Sequence, residues 1–344
     1  MSSTTMRAVY LTGFGDYDQL RYREDAEKPE PAPGEVLIRV AAAGVNNTEI
    51  NIRTNWYARS RVEVDNNART SDGSNDVVLP RIQGADACGY IEAVGAGVDP
   101  GRIGERVLVD PTIRAFGQYF GAHRDGGFAE YTVVPSENAH RVESTFSDVE
   151  LASFPCSYST AENLVTRSGV TSADTVLVTG ASGGVGSAAV QLAKVRGATV
   201  IALTVEDKAA ILKNLGADRT ILRHQSLVKV LGTNSVDVVI DLVGGADWPQ
   251  LLEVLKPGGR YASSGAVAGP LVSLDLRTFY FKDLTLFGCT VYEPEVFASL
   301  VRHIEGGKIH PVVAEVFPLE RIIDAQKTFL QRKHVGKIVL KVAR

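Results

Sequence analysis

The sequence predicts an α/β protein of two domains, a β-rich N-terminal domain followed by a doubly wound parallel sheet. Three observations carry this expectation. Before about residue 146 the apolar residues fall in short alternating runs, the period of half-buried strands. After it, strand-like runs alternate with helical stretches, the pattern of a parallel sheet with crossover helices. A length of 344 residues also exceeds what one hydrophobic core usually serves. The expected domains are 1–146, completed by 293–344, and 147–292 between them.

In the N-terminal part, Met6–Tyr10, Glu35–Val40, Gly89–Gly95 and Arg106–Asp110 are the expected strands, the second introduced by a Pro31-Ala-Pro-Gly34 turn. Ser60–Asp76 is polar, rich in Asn, Asp and Ser, and without period, so it is expected to be a long surface loop. Beyond it, Thr175–Thr179, Thr199–Leu203, Asp237–Val243, Gly259–Ser263 and Leu284–Phe287 are strands. Val185–Val195, Lys208–Leu215 and Trp248–Leu255 are the helices between them. A helix over Val296–Ile304 and a last strand, Gly336–Val342, end the chain. No internal repeat appears at solenoid periods.

Composition narrows the function. The chain is 44% hydrophobic and 22% charged, with a formal charge of −4. No basic face is implied, so nucleic acid and anionic membrane are excluded as expected partners. No apolar run reaches the length of a membrane span. The start, Met1–Met6, has no apolar signal region, and a cytoplasmic protein is expected. Cys88, Cys156 and Cys289 lie far apart and form no C-x-x-C pair, which argues against a disulfide framework or a four-cysteine zinc lobe. His123, His140 and His334 have no ligand-like spacing, and all six histidines read as structural or solvated.

The strongest local signal is Thr179-Gly-Ala-Ser-Gly-Gly-Val-Gly186, which follows an expected strand and opens an expected helix. That is the context a dinucleotide-binding turn requires, as in the Rossmann fold. Ser182, Gly183, Gly184, Val185 and Gly186 let backbone approach a pyrophosphate, and the helix start favours its charge. The string also fits short-chain dehydrogenases. Against these, it starts at residue 179, and none of the eleven tyrosines is followed by Lys four residues on. The second strand has no acid at its end to hold a ribose 2′-hydroxyl; Glu206 and Asp207 come slightly late. Thr204, Lys208 and Arg223 are placed instead to meet a 2′-phosphate, so NADPH is expected over NADH.

Nearly the whole chain resembles the medium-chain dehydrogenase/reductase superfamily, in particular its zinc-independent quinone oxidoreductases, which are zeta-crystallin-like. The likeness includes MRAVYL, PAPGEVLIRVAAAGVNNTEI, QGADACGYIEAVG and GGFAEYTVVP. It continues through the glycine turn, VIDLVGG, LKPGGRYASSG and HVGKIVLKV. The most specific piece is Asn46–Tyr57, similar to an N-P-x-[DE]-x-Y-I-R-x-G-x-Y segment, with Asn46, Arg53 and Tyr57 in register. The resemblance implies a GroES-like catalytic domain beside the Rossmann domain, NADPH as cofactor, and further cofactor residues Val243, Gly244, Ser264, Gly265 and Lys337. It also departs from the family: Asn47 replaces the usual Pro, Asn55 a Gly, and the path from Tyr57 to Gly84 is longer than usual.

Zinc members of the superfamily use a Cys, a His and a second Cys. By register Asn46 stands at the first position and Gly84-Ala85-Asp86 at Gly-His-Glu, while Cys156 matches the last ligand. A catalytic zinc needs three protein ligands, so no metal site is expected, and Cys156 reads as a small buried residue. Without a Lewis acid, hydride transfer favours an acceptor already activated by conjugation, a quinone or α,β-unsaturated carbonyl compound. Tyr57 is the expected donor to the developing oxyanion, with Asn46 and Thr48 beside it. The alternatives are an alcohol dehydrogenase with a degenerate metal site, or an NADPH-binding protein without catalysis. A homodimer is expected through the apolar edge Leu284–Val291.

Overall fold

The computed structural model describes residues 4–59 and 77–343; the expected Ser60–Asp76 loop lies outside the described residues. The chain divides into two compact units. One comprises Met1–Cys156, Val313–Lys333 and Lys337–Arg344, the other Ser157–Val312 and His334–Gly336.

The first unit begins with β1 (Thr5–Leu11), β2 (Leu20–Glu27) and β3 (Glu35–Val45). Helices α1 (Asn47–Arg53) and α2 (Trp56–Arg59) follow directly on β3. Then come β4 (Arg81–Ile82), β5 (Cys88–Val94), β6 (Arg106–Val109), β7 (Thr112–Ile113), β8 (Gln118–Tyr119), β9 (Tyr131–Pro135) and β10 (Ala139–Arg141). The short α3 (Asp148–Leu151) packs on β3 and β5. Its Asp148 takes Arg106 Nη2 at 2.7 Å and the Tyr90 hydroxyl at 3.2 Å. These ties carry this unit past residue 146.

The second unit runs α4 (Pro155–Arg167, its first two residues counted with the first unit), β11 (Thr175–Val178), α5 (Gly184–Val195), β12 (Thr199–Thr204), α6 (Glu206–Asn214) and β13 (Arg219–Leu222). It continues through α7 (Leu227–Leu231), β14 (Val236–Asp241), α8 (Trp248–Val254), β15 (Leu255–Ser263), α9 (Leu276–Phe281), β16 (Thr285–Gly288) and α10 (Pro294–Glu305). Six parallel strands stand in the order β13-β12-β11-β14-β15-β16. The order reverses between β11 and β14, and in such sheets ligands bind at the carboxyl ends of the strands beside that reversal. Val176, Leu177 and Val178 of β11, and Val238, Val239 and Ile240 of β14, are fully buried, as strands covered on both faces require. Residues 293–312 belong here rather than to the N-terminal domain. His310 is held by Gln191, through its N–H at 2.8 Å, and its carbonyl accepts from Tyr158 at 2.7 Å.

The chain then returns to the first unit with β17 (Val313–Pro318), α11 (Ile322–Leu330) and β18 (Lys337–Lys341). Its larger sheet has the order β10-β6-β5-β3-β18-β17, with β9 also paired to β3. A three-stranded sheet has the order β2-β1-β4. Val36, Ile38, Val40, Ile91, Val107, Ile338 and Leu340 from the larger sheet share one apolar core with Phe120 and Phe128. Among the described residues no helix is long and apolar enough to cross a membrane.

Candidate functional site

In the first unit, a polar cluster forms where α1 leaves β3. The sequence Asn46-Asn-Thr-Glu49 is a capping-box pattern, and the Glu49 carboxylate reaches back to the Asn46 N–H at 2.6 Å. It also accepts from Ala85 N–H at 2.9 Å and Asn46 Nδ2 at 3.3 Å. Asn46 Nδ2 donates as well to Asp86 Oδ2 at 2.9 Å. Lys337, the first residue of β18, places its ammonium 2.7 Å from the same oxygen and donates to Asn46 Oδ1. Asp86 Oδ1 accepts the Cys156 N–H at 2.6 Å. Lys337 and Asp86 are only 2% and 0% exposed at their side chains. Asp86 also lies so near β3 that a Cβ on Gly44 would sit 2.2 Å from Oδ2, so only glycine fits there.

The electrostatics follow from this burial. Burial pushes the Glu49 carboxyl up to about 7 against the opposing pull of the Ala85 N–H and the Lys337 charge. Burial also pushes the Cys156 thiol up to about 12, reinforced by the Asp86 charge. Cys156 Sγ lies 3.3 Å from the Tyr119 hydroxyl. Tyr57 packs edge-on against Trp56, with ring centroids 5.3 Å apart. Burial raises the Tyr57 phenol, while hydrogen bonding to Asn51 and Thr48 offsets part of the rise.

The structure thus gathers Asn46, Thr48 and Tyr57 on one short stretch, but gives Asn46 a different task from donating to a substrate oxygen. Its amide hydrogens go to Glu49 and Asp86 and its oxygen to Lys337, so it orients its neighbours. Lys337, expected beside the cofactor, is buried in this cluster. Glu49 and Tyr119 went unread in the sequence. The capping-box spacing pointed to Glu49; Tyr119 lies on the two-residue β8, where nothing in the sequence marked it.

The superfamily's zinc members raise the question of a metal here, and the residues do not fit one. Ala85 offers no side-chain ligand, and the oxygens of Asn46 and Asp86 that face Lys337 hold its ammonium, which leaves Cys156 short of the three protein ligands of a catalytic zinc. Among the described residues no three His, Cys, Asp or Glu side chains come together as metal ligands.

In the second unit, the glycine turn joins β11 to α5. A Cβ on Gly186 would lie 2.2 Å from the Gly180 carbonyl oxygen, so the helix can start this close to the strand only with glycine there. The N-cap, Gly183, brings no side-chain acceptor to the first turn, which suits an anion at the helix start. At the end of β12 the Thr204 hydroxyl is buried without a hydrogen-bond partner, and beyond β15 so is that of Ser264. Buried hydroxyls are nearly always bonded; two orphans at carboxyl ends of strands fit a bound dinucleotide. Arg223 N–H donates to the Thr204 carbonyl at 2.8 Å. Burial, and then the nearby Arg223 charge, lower the Lys208 ammonium against the pull of Asp207. Two cations therefore stand within electrostatic reach of each other near Thr204. Val243 and Gly244 form the loop after β14, and Gly265 follows Ser264 beyond β15.

Comparison with known proteins agrees with both halves. The alcohol dehydrogenase GroES-like domain family matches residues 32–144, and the zinc-binding dehydrogenase family residues 184–306. A quinone oxidoreductase of Lama guanicoe is 30% identical over 349 residues, 97% of each chain. A candidate alcohol dehydrogenase from Sinorhizobium meliloti superposes with a TM-score of 0.92 at 44% identity, over 98% of this chain and 97% of that one. An NAD-dependent alcohol dehydrogenase gives 0.87 at 32% identity, over 98% of this chain and 100% of that one. Fold and glycine turn define an oxidoreductase that uses a nicotinamide cofactor. The chain belongs to the medium-chain dehydrogenase/reductase superfamily, quinone oxidoreductase type.

Proposed function

We propose that the protein is an NADPH-dependent reductase of quinones or α,β-unsaturated carbonyl compounds that works without zinc, as a cytoplasmic homodimer. One observation carries the reading: Asn46 and Ala85 stand at two of the three positions where the superfamily's zinc members carry ligands, and Asn46 is bound up with Glu49, Asp86 and the Lys337 ammonium. A site of this kind offers no Lewis acid to ionise an alcohol. It suits an acceptor whose conjugation already spreads the incoming charge onto oxygen.

The nicotinamide supplies the hydride. The chain's own residues do the rest. The turn Ser182–Gly186 seats the pyrophosphate, with Val243, Gly244, Ser264 and Gly265 lining the remaining cofactor positions. Thr204, Lys208 and Arg223 take the 2′-phosphate; each charge-assisted bond contributes about 1.5–3 kcal/mol. Tyr57, held by Thr48, donates its hydroxyl hydrogen bond to the substrate oxygen as charge builds there. Asn46 and Lys337 hold the framework beneath it.

The experiment is a panel of quinones, enones and simple alcohols with NADPH, NADH or the oxidised cofactors, read by absorbance of the reduced nicotinamide, together with elemental analysis of the purified protein. Expected are turnover of at least one quinone or enone, a preference of at least about tenfold for NADPH, and well under one zinc per chain. Oxidation of simple alcohols alone, or stoichiometric zinc lost with activity on chelation, overturns the proposal.

A further inference from the structure

The second unit contains a buried carboxylate that no role above uses. Asp241 ends β14 and is fully buried. Its side chain accepts from four groups. The Thr179 hydroxyl donates to Oδ1, and Val243 N–H donates to the same oxygen at 3.0 Å. Gly244 N–H donates to Oδ2 at 3.2 Å, and the Tyr261 hydroxyl to Oδ2 at 2.7 Å. An ionised carboxylate has only acceptor sites, and four donors suit it better than an acid carrying a proton of its own. Burial, and after it the Asp241 charge, hold the Tyr261 phenol up.

The four donors come from three separate segments. Thr179 opens the glycine turn, and its hydroxyl, while donating to Asp241, accepts from Leu242 N–H at 3.0 Å. Val243 and Gly244 belong to the loop after β14. That loop is tied onward, with Val243 O accepting Ala268 N–H at 2.8 Å and Gly245 N–H reaching Gly269 O at 3.1 Å. Tyr261 lies on β15 and stacks edge-on against Trp248 at 5.6 Å. Asp241 ends β14 and Thr179 directly follows its neighbour β11, on either side of the point where the strand order reverses. One side chain therefore joins the glycine turn, the Val243–Gly244 loop and β15 at the place where the sheet binds its ligand.

We propose that ionised Asp241 is the positioning residue of the cofactor crevice. It touches no cofactor atom. By drawing the Val243 and Gly244 N–H groups inward and holding the Thr179 hydroxyl, it sets the glycine turn and the following loop in one fixed relation before the cofactor arrives. Preorganisation of this kind lowers the ordering cost of binding. The inference rests on the reading of this crevice as the nicotinamide site.

The test uses the full-length protein and titrates NADPH and NADH by fluorescence, alongside steady-state kinetics and thermal unfolding. Asp241→Asn keeps the shape but turns an amide N–H₂ toward the Gly244 N–H or the Thr179 hydroxyl. Expected is a weakening of the preferred cofactor by about tenfold or more, with kcat at saturating cofactor within about threefold of wild type. Thr179→Val, which cuts the link to the turn but leaves the carboxylate, should weaken binding in the same direction. Thr179→Ser restores the hydroxyl and should bind within about twofold of wild type. A folded Asp241→Asn that binds like wild type overturns the proposal. If that variant does not fold, a Thr179→Val protein that binds like wild type overturns it instead. Failure of the wild type to bind either nicotinamide is a different outcome: it removes the cofactor reading, and this proposal with it. A wild-type preference for NADH removes only the NADPH assignment, and the Asp241 comparison is then read with NADH.

Discussion

Replacing Lys337 with Met should destabilise the protein by about 4 kcal/mol at pH 7. The ammonium lies 2.7 Å from Asp86 Oδ2, and the two side chains are 2% and 0% exposed. Breaking a buried pair by removing one partner costs about 3–5 kcal/mol, because an uncompensated charge is left behind. Chemical and thermal unfolding at pH 7 measure it. At about 2–4 °C per kcal/mol for a domain of this size, the midpoint at pH 7 should drop by about 8–16 °C. Lys337→Met combined with Asp86→Asn should recover more than half of the loss, since no lone charge then remains. A deficit under about 1 kcal/mol, or no recovery in the double variant, refutes the reasoning.

Three other outcomes are expected. Tyr57→Phe should lower kcat on the best quinone or enone by about 10²–10³, the usual effect of losing one oxyanion donor; unchanged turnover assigns the donor elsewhere. Glu49 has a folded acidity raised to about 7 from 4.5, so its proton is favoured by folding and stability declines as pH rises from about 4.5 through 7. In Glu49→Gln that part of the pH dependence should vanish in unfolding experiments, and its persistence would exclude Glu49 as the source. β16 is the last strand of its sheet, with Leu286 exposed and the nearby Leu276, Phe281 and Val291 more exposed still. Light scattering at micromolar concentration should give twice the chain mass, and Leu286→Lys should halve it; a monomeric wild type counts against a dimer through this edge.

The strongly periodic elements were legible in the sequence. Val185–Val195 became α5 (Gly184–Val195) and Thr199–Leu203 became β12 (Thr199–Thr204). Asp237–Val243 was read two residues too long, because Leu242 and Val243 are apolar yet leave the strand to close on Asp241 and Thr179. The short strands β13 and β17 went unread; Arg219–Leu222 is too brief to show a period, and Val313–Pro318 ends on a proline. The domain boundary at 146 missed α3, whose place with the first unit is decided by Arg106 and Tyr90, about forty and sixty residues upstream.

The glycine turn, and with it the nicotinamide class, could be read from one local string, because strand, tight turn and helix start are set by neighbouring residues. That Asn46 and Ala85 stand where the superfamily's zinc members carry a Cys and a His could be read the same way, as residue types at fixed positions. What surrounds them could not. Lys337 lies 251 residues from Asp86 and 291 from Asn46 in the chain, and only the antiparallel pairing of β18 with β3 brings them together. The same holds for Asp241, whose partners are Thr179, just past the end of β11, and Tyr261 on β15. Local sequence decides which backbone shapes are available; which buried charge meets which partner is settled only when distant strands pair and water is excluded, since a buried charge is tolerated only where partners are already in place.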